Sequence, residues 1–240
     1  VSHKEGKTMI MEQRYDGVKQ YTDHFIYNLP AFKDKRYMTV DGKPIFVVWN
    51  PNDHIEEIQK LMEVWKKLAI ENGLKGIHFI ANDVHAGKDW HSFGFDAVYE
   101  HRELVAIQGQ QERNFVQIVQ RAIQKMFGLT SFILKADFSK RYKLLVTEDV
   151  CKKDVYPTLL AGYDRSPRAG RAAQIFYNFT PETWRMHVKD VLEHVKNKDY
   201  EHNIIMLKSW NEWGESNHME PDLKYGTALL DVLGEELNVE

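Results

Sequence analysis

One cysteine, Cys151, stands in a chain of 240 residues. A single thiol excludes an internal disulfide and any thiolate zinc cluster. No histidine–acid pattern lies near it in sequence, so it reads as an ordinary thiol, and the chain fits a reducing, cytoplasmic setting. No stretch is apolar over the roughly 20 residues that a membrane-spanning helix needs. Neither sign of charge dominates: the formal net charge is −3, which argues against a general nucleic-acid binder. A Gly-rich phosphate loop and a clear Asp-x-Asp motif are both missing, so nothing in the sequence requires a nucleotide. His78, His85, His91 and His101 lack the regular spacing of zinc ligands, and no metal or other cofactor is expected. Internal repeats and low-complexity segments are absent. The chain opens at Val1 rather than at a methionine, which leaves room for a removed signal peptide.

What is present is ordinary in bulk. Hydrophobic residues make up 43% and charged residues 28%, as in a soluble globular protein. The length suffices for one sizeable core or one α/β barrel. Residues 8–13 predict a short strand. Tyr21, Phe25 and Leu29 recur every four residues and predict a helix running to about Pro30. After the Asp41-Gly42 turn, Pro44 opens a buried strand, Ile45-Phe46-Val47-Val48, which delivers Trp49 and Asn50 at its C-terminal end. Those two are either a sugar-facing platform or a packed Trp and a turn Asn. Asp53 with Glu56 predicts a capping box. The helix behind it shows Ile55, Ile58, Met62, Trp65 and Ala69 on one face, with Trp65 in the core, and stops at Asn72-Gly73.

A strand over residues 77–80 follows, and strand, helix, strand in this order predicts parallel βαβ connectivity. Asn82, Asp83 and His85 read as a solvated loop. The next strand ends at Glu100, placed either to bind a sugar hydroxyl or to pair with Arg102. Phe115, Ile118, Val119, Ala122 and Met126 outline another amphipathic helix. Residues 156–164 predict a strand that emerges into a loop at Tyr163 and Asp164. The basic run Arg165, Arg168 and Arg171 after it is either a solvated loop or a site for an anionic sugar or phosphate. Thr180-Pro181-Glu182 opens a helix that buries Trp184, Val188, Val191, Leu192 and Val195. Residues 225–237 form a closing helix with Leu229, Val232 and Leu233 inward.

The densest chemistry lies in residues 204–222, IIMLKSWNEWGESNHMEPD. A short apolar run, which predicts a strand buried on both faces, switches directly to Trp210-Asn211-Glu212-Trp213-Gly214-Glu215. In a β/α barrel the C-terminal ends of strands carry the catalytic groups. Two carboxylates three apart on a helical turn have Cβ atoms roughly 5–6 Å apart, near the roughly 5–5.5 Å carboxyl separation of retaining glycosidases. An isolated Glu-x-x-Glu would read more simply as a helix cap beside a solvated acid. Two tryptophans, an asparagine and a preceding buried strand favour a site for glycosidic-bond chemistry.

This motif, running from Lys208 to Asp222, resembles the signature of the WbsX-type proteins, glycoside hydrolase family 99-like domains associated with bacterial polysaccharide biosynthesis. Residues 37–51 (YMTVDGKPIFVVWNP), the GFDA strand at 94–97 and the stretch from Tyr163 to Gly170 carry the same resemblance. Tyr163 replaces the family's usual Trp, Gly214 stands where family 99 enzymes often carry His, and Ser216 and His218 stand where WbsX relatives usually have Gly and Tyr. The resemblance implies a (β/α)8 TIM-type barrel, here a single domain over 1–240 that lacks the upstream first strands. It implies that Glu212 acts as base on the sugar 2-hydroxyl, giving a 1,2-anhydro sugar, and that Glu215 is the general acid/base. The substrate implied is an oligosaccharide or polysaccharide, with Trp49, Asn50, Glu100, Tyr163, Asp164, Arg168, Trp210, Asn211, Trp213, His218 and Glu220 as its binding residues.

Two further expectations concern geometry. Glu212, Glu215, Asp164 and Trp49 should converge on one pocket at the strand C-termini. Trp213 and the charge of Glu212 should keep Glu215 protonated, while Asn211 or a Trp indole holds Glu212. A glycosyltransferase using a sugar nucleotide and a non-catalytic glycan-binding module are the alternatives.

Overall fold

The computed structural model of the protein describes residues 14–83, 88–108, 133–170 and 173–238, together with 119, 123 and 126. The strand expected at 8–13, His85, Arg171 and most of the helix expected at 115–126 lie outside the described residues. In chain order the elements are α1 (Val18–Phe32), β1 (Thr39–Val40), β2 (Lys43–Val48), α2 (Ile55–Glu71), β3 (His78–Asp83), β4 (Ala97–Glu100), α3 (Glu103–Gln108), β5 (Leu134–Asp137), α4 (Phe138–Arg141), β6 (Val155–Tyr156), β7 (Thr158–Leu160), α5 (Ser166–Ala169), β8 (Gln174–Tyr177), α6 (Pro181–Val195), β9 (Met206–Lys208), β10 (Asn211–Glu212), β11 (Asn217–His218) and α7 (Ala228–Leu237).

The strands β2, β3, β4 and β6 lie side by side and parallel, with β1 antiparallel at the outer edge. Pro157 separates β6 from β7, and β7 pairs in parallel with β9. The Met206 N–H donates to the Pro157 carbonyl (2.9 Å), so the row runs on from β4 to β9. The result is an α/β fold with a curled half-barrel sheet. A closed eight-stranded barrel does not form among the described residues. The strands β5 and β8 pair with each other in parallel, and β8 bridges antiparallel to the stretch after β7, where the Phe176 N–H donates to the Tyr163 carbonyl (2.7 Å); this departs from the strand-beside-next-strand order of a regular barrel.

The period-two alternation of side chains sorts the strands' residues onto two faces. Phe46, Val48, Phe79, Ala81 and Val98 face outward and pack on α1 and α2 around Trp65, which is fully buried and donates its indole N–H to the Tyr21 carbonyl (2.9 Å). Ile45, Ile80, Ala97, Tyr99 and Tyr156 share the inner face with Met206. A second core joins α6 and α7 to β7 and α4 through Trp184, Val188, Val191, Leu229 and Phe138. Trp184, at the end of α6 that Thr180 caps, ties the two helices by an indole hydrogen bond to the Leu229 carbonyl (3.1 Å).

Helix α1 ends at Phe32, close to the expected end at about Pro30, since a proline in the last turn removes one N–H without breaking the preceding turns. Two local expectations need correction. Asp53 is not the N-cap of α2. Asn50 takes the left-handed conformation (φ 42°) and its amide holds the Asp53 carboxylate (2.5 Å), so residues Pro51–His54 form a 3-10 turn and His54 precedes the helix. Asn82 and Asp83 are not in a loop, because β3 runs through them, and Asn82 is buried opposite Tyr99.

The end of β7 depends on one glycine. Gly162 has φ +76°, and a Cβ there would stand 2.9 Å from the Ser216 carbonyl oxygen. Positive φ alone costs a non-glycine residue roughly 1–2 kcal/mol, and the backbone contact adds to that. Gly162→Ala should lower unfolding free energy by at least about 2 kcal/mol in urea titrations. A loss of only about 1 kcal/mol, the cost of the positive φ alone, would show that the Ser216 carbonyl yields freely.

Candidate active site

The residues after β9 are built around Ser209 and Asn217. Ser209 Oγ donates to the Asn217 carbonyl (2.5 Å), and the buried Asn217 amide donates to the carbonyls of Gly162 and Lys208. One side chain thereby ties the ends of β7 and β9 together. The hairpin β10–β11 pairs Glu212 with Asn217 and Asn211 with His218. Between its strands, Trp213–Glu215 make a single 3-10 turn. The Asp164 N–H donates to the Glu215 carbonyl (2.7 Å), fixing this turn against the end of β7.

Glu212 and Glu215 open into a cavity of about 460 Å³ at the C-terminal ends of β4, β7 and β9. Trp49 stands at its edge, 66% exposed, and meets His101 edge to face (5.8 Å). Arg165 and Arg168 reach in from the loop after Asp164. Arg168 Nη1 lies 3.0 Å from Glu215 Oε1 and 3.9 Å from Glu212 Oε1, so those two oxygens are no more than about 7 Å apart. That bound admits the roughly 5–5.5 Å of retaining glycosidases and the lower part of the inverting range. Gly214 leaves room for this arrangement, because a Cβ at that position would meet Glu212 Oε1 at 3.0 Å.

The floor of the cavity is a buried charge cluster. Glu103 Oε1 meets Lys208 Nζ at 2.5 Å and His101 Nε2 at 2.7 Å, and Lys208 lies over the Tyr163 ring (5.2 Å). Burial pushes the Glu103 carboxyl up, but His101 and Lys208 outweigh it and hold the group at about 2. Burial raises the Tyr163 phenol well above its ordinary value, with the charges of Glu103 and Glu215 adding to the rise. His101, Glu103 and Lys208 are lining residues that the sequence reading did not select, while Arg165, one of the arginines it weighed for an anionic ligand, lines the cavity as well. A signal was available for two of them: Lys208 is the last residue of β9, and Glu103 lies three residues past Glu100 at the end of β4.

Of the residues singled out in the sequence, Glu212, Glu215, Trp49, Tyr163 and Arg168 line this cavity. Asp164 does not join them. Successive residues of an extended chain point to opposite sides, so Tyr163 reaches this floor while Asp164 turns to a second cavity of about 490 Å³, where its Oδ1 accepts the Ser166 N–H (2.8 Å). Tyr163 lines that cavity too. His218 also lies there, paired with Asp222 (3.3 Å). Asn50 is the turn residue described above and lines a third cavity beside α1 and α2. Glu100 takes the Thr147 hydroxyl (2.9 Å) away from the site. Trp210 is half exposed, and Asn211 is exposed on the hairpin.

Trp213 is not packed on Glu215. Its indole stacks on His218 (3.7 Å, 18°) and donates to Glu220 Oε2 (2.6 Å). Hairpin pairing turns residue 213 toward the opposite strand, so the groups that face the Glu215 carboxylate are Arg165 and Arg168. For the same reason neither Asn211 nor an indole holds Glu212, whose nearest charged partner is Arg168.

These features define an α/β half-barrel protein with a carboxylate-bearing cavity at its strand C-termini. The chain belongs to the WbsX glycosyltransferase family, whose model matches residues 2–233. Among curated proteins it is similar to the uncharacterized protein WxcX of two Xanthomonas campestris pv. campestris strains, each 24% identical over 206 residues. The match takes in 85% of this chain and 28% of theirs, so the chain spans just over a quarter of the length of these relatives. A solved structure of a glycoside hydrolase-like protein shares the fold, with a TM-score of 0.55 at 15% identity over 92% of this chain and 61% of that one. A family 99 endo-α-mannosidase from Bacteroides thetaiotaomicron follows at a TM-score of 0.49 and 16% identity, over 85% of this chain and 56% of that one. No helix among the described residues is long and apolar enough to cross a membrane.

Proposed function

We propose that this chain is a carbohydrate-active enzyme on bacterial surface polysaccharide that cleaves or transfers a glycosidic linkage through Glu212 and Glu215. The observation that carries this reading is that both carboxylates reach one cavity and share one guanidinium, within about 7 Å of each other. Glu212, the more exposed of the two, takes the proton of the sugar 2-hydroxyl as that oxygen closes on the anomeric carbon. Glu215 gives a proton to the departing oxygen, then takes one from the water or acceptor sugar whose oxygen attacks the anomeric carbon, while the bond from that carbon to the 2-oxygen breaks and Glu212 returns its proton to the 2-oxygen. Trp49 offers an aromatic surface to a sugar ring at the cavity edge. His101, Glu103 and Lys208 fix the floor.

A sugar-nucleotide-dependent transfer is the second reading, favoured by the family's name and by the two arginines beside the acids. Product analysis separates them. With polysaccharide alone, the first reading expects new reducing ends or rearranged chains. If products form only after a sugar nucleotide is added, the second stands instead. Carbohydrate binding without any product under either condition would reduce the chain to a glycan-binding module.

A further inference from the structure

Arg168 stands between the two carboxylates. Its Nη1 donates to Glu215 Oε1 at 3.0 Å and lies 3.9 Å from Glu212 Oε1. Arg165 also meets Glu215 Oε1 (3.1 Å) but is tethered by a second bond, from Nη1 to Gln174 Oε1 (3.1 Å). Arg168 has no such tether among the described residues, and 53% of its side chain is exposed. A guanidinium in this position fills the space between the two acids, where the reacting sugar must sit if the proposed reading holds. Guanidinium and sugar cannot share that space, so Arg168 must move for a sugar to enter between the acids.

A guanidinium drawn off a carboxylate keeps its full charge and needs a partner of comparable strength. A sugar hydroxyl is a weak replacement, whereas a phosphate or carboxylate accepts two parallel N–H bonds in the same plane. Lys208 offers no alternative cation, since Glu103 already holds it at 2.5 Å. Nor is the base of the cavity open to an anion, because Glu103, Glu212 and Glu215 would repel it there. The solvent side of Arg168, at the cavity mouth, is where negative charge is welcome.

We infer that Arg168 is a guard displaced by substrate, and that the displacing group is an oxyanion carried by the sugar next to the reacting bond. This rests on the proposed roles of Glu212 and Glu215 and adds the substrate class: an anionic sugar. Two sources share that chemistry, the phosphate of an activated sugar and the carboxylate of a uronic acid.

The test is calorimetric titration of the full chain with uridine diphosphate, D-glucuronate and D-glucose at low and moderate salt. At least one anionic probe should bind tenfold or more tightly than glucose and should weaken as salt rises. Uridine diphosphate alone would identify the phosphate source, and glucuronate alone the uronate source. Arg168→Ala should lose tenfold or more of that affinity, with Arg168→Lys between the two. Glu215→Gln should bind the anion severalfold more tightly, because a neutral amide competes less well for the guanidinium. Opposite signs for the two variants would not follow from a merely structural role. The inference is overturned if neither anion outbinds glucose, if Arg168→Ala binds as the wild type does, or if Glu215→Gln fails to tighten binding. None of these readouts needs turnover, so they stand apart from the loss of activity that judges Glu212 and Glu215.

Discussion

Glu212→Gln is expected to abolish turnover of every substrate, and Glu215→Gln of only some. Removal of a positioned acid or base costs about 10²–10⁴ in rate. In the proposed sequence of steps, the 2-hydroxyl must lose its proton before or as the bond to the leaving oxygen breaks. Glu212 takes that proton, so its loss affects good and poor leaving groups alike. Glu215 protonates the leaving oxygen, and a leaving group such as an aryl oxide of low pKa departs without that help. Glu215→Gln should therefore retain a substantial fraction of the wild-type rate on aryl glycosides while losing nearly all activity on the natural linkage. A substrate lacking the 2-hydroxyl should be inert with every variant. Wild-type rates from Glu212→Gln, or normal turnover of the 2-deoxy substrate, would show that another group activates the sugar. Both glutamines are nearly isosteric with the acids, and the β10–β11 hairpin that carries them is held by Ser209 and Asn217 in addition to the Glu215 ion pairs, so folding should survive.

The second large effect is on stability in mild acid, and it centres on His187. This residue lies on α6, fully buried among Phe138, Tyr142 and Trp184. Its Nε2 accepts the Leu160 N–H of β7 (3.2 Å), which requires the neutral ring. Burial lowers its pKa from 6.5 to about 3. A depressed histidine binds its proton in the unfolded chain first, so stability is complete above about pH 6.5 and drains away as pH falls toward about 3. Between pH 6.5 and 4.5 the loss from this group should be about 2 kcal/mol. Burial lowers His78 and His24 as well, and they act in the same direction. Glu103 behaves differently. Held at about 2, it adds stability that is lost only as pH falls from about 4.5 toward 2.

His187→Gln places an amide oxygen near the position of Nε2 without a titrating group. It should flatten the dependence between pH 6.5 and 4.5 while keeping the Leu160 N–H satisfied. His187→Leu should flatten it too, at a further loss of roughly 1–3 kcal/mol at neutral pH, because the Leu160 N–H is left unpaired. Urea unfolding at pH 7, 5.5 and 4.5 checks both. An unchanged slope in His187→Gln would mean that His187 titrates normally in the folded chain. Because Leu160 lies two residues before Gly162, the same contact supports the strand end that carries the site.

Much of the architecture was readable from periodicity. The four-residue spacing of Tyr21 and Phe25, the face holding Ile58, Met62, Trp65 and Ala69, and the Thr180-Pro181 start with Trp184, Val188 and Val191 behind it are all helices in the fold with those residues buried. The strands ending near Trp49, Glu100 and Lys208 stand parallel in one row, as strand, helix, strand order implied. Where reading failed, short polar groups had an alternative use for their hydrogen bonds. Asp53 spends its carboxylate on Asn50 and leaves the cap empty, and Asn82 continues a strand that its polarity had seemed to end.

The sequence by itself determined which residues face the core of their own helix or strand, and it concentrated two acids, an amide and two indoles directly behind a strand. It did so because burial repeats with a period of 3.6 or 2 along a regular element. Only the tertiary structure decided which of those groups meet. Tyr163 reaches the cavity of the two acids and Asp164 does not, and Trp213 turns to Glu220 and His218. Arg168 reaches Glu215 across 47 residues, and Lys208 reaches Glu103 across 105. Those pairings form where strands end and the next short helices and turns begin, so side-chain direction follows no single period and the partner is chosen by which strand ends lie side by side.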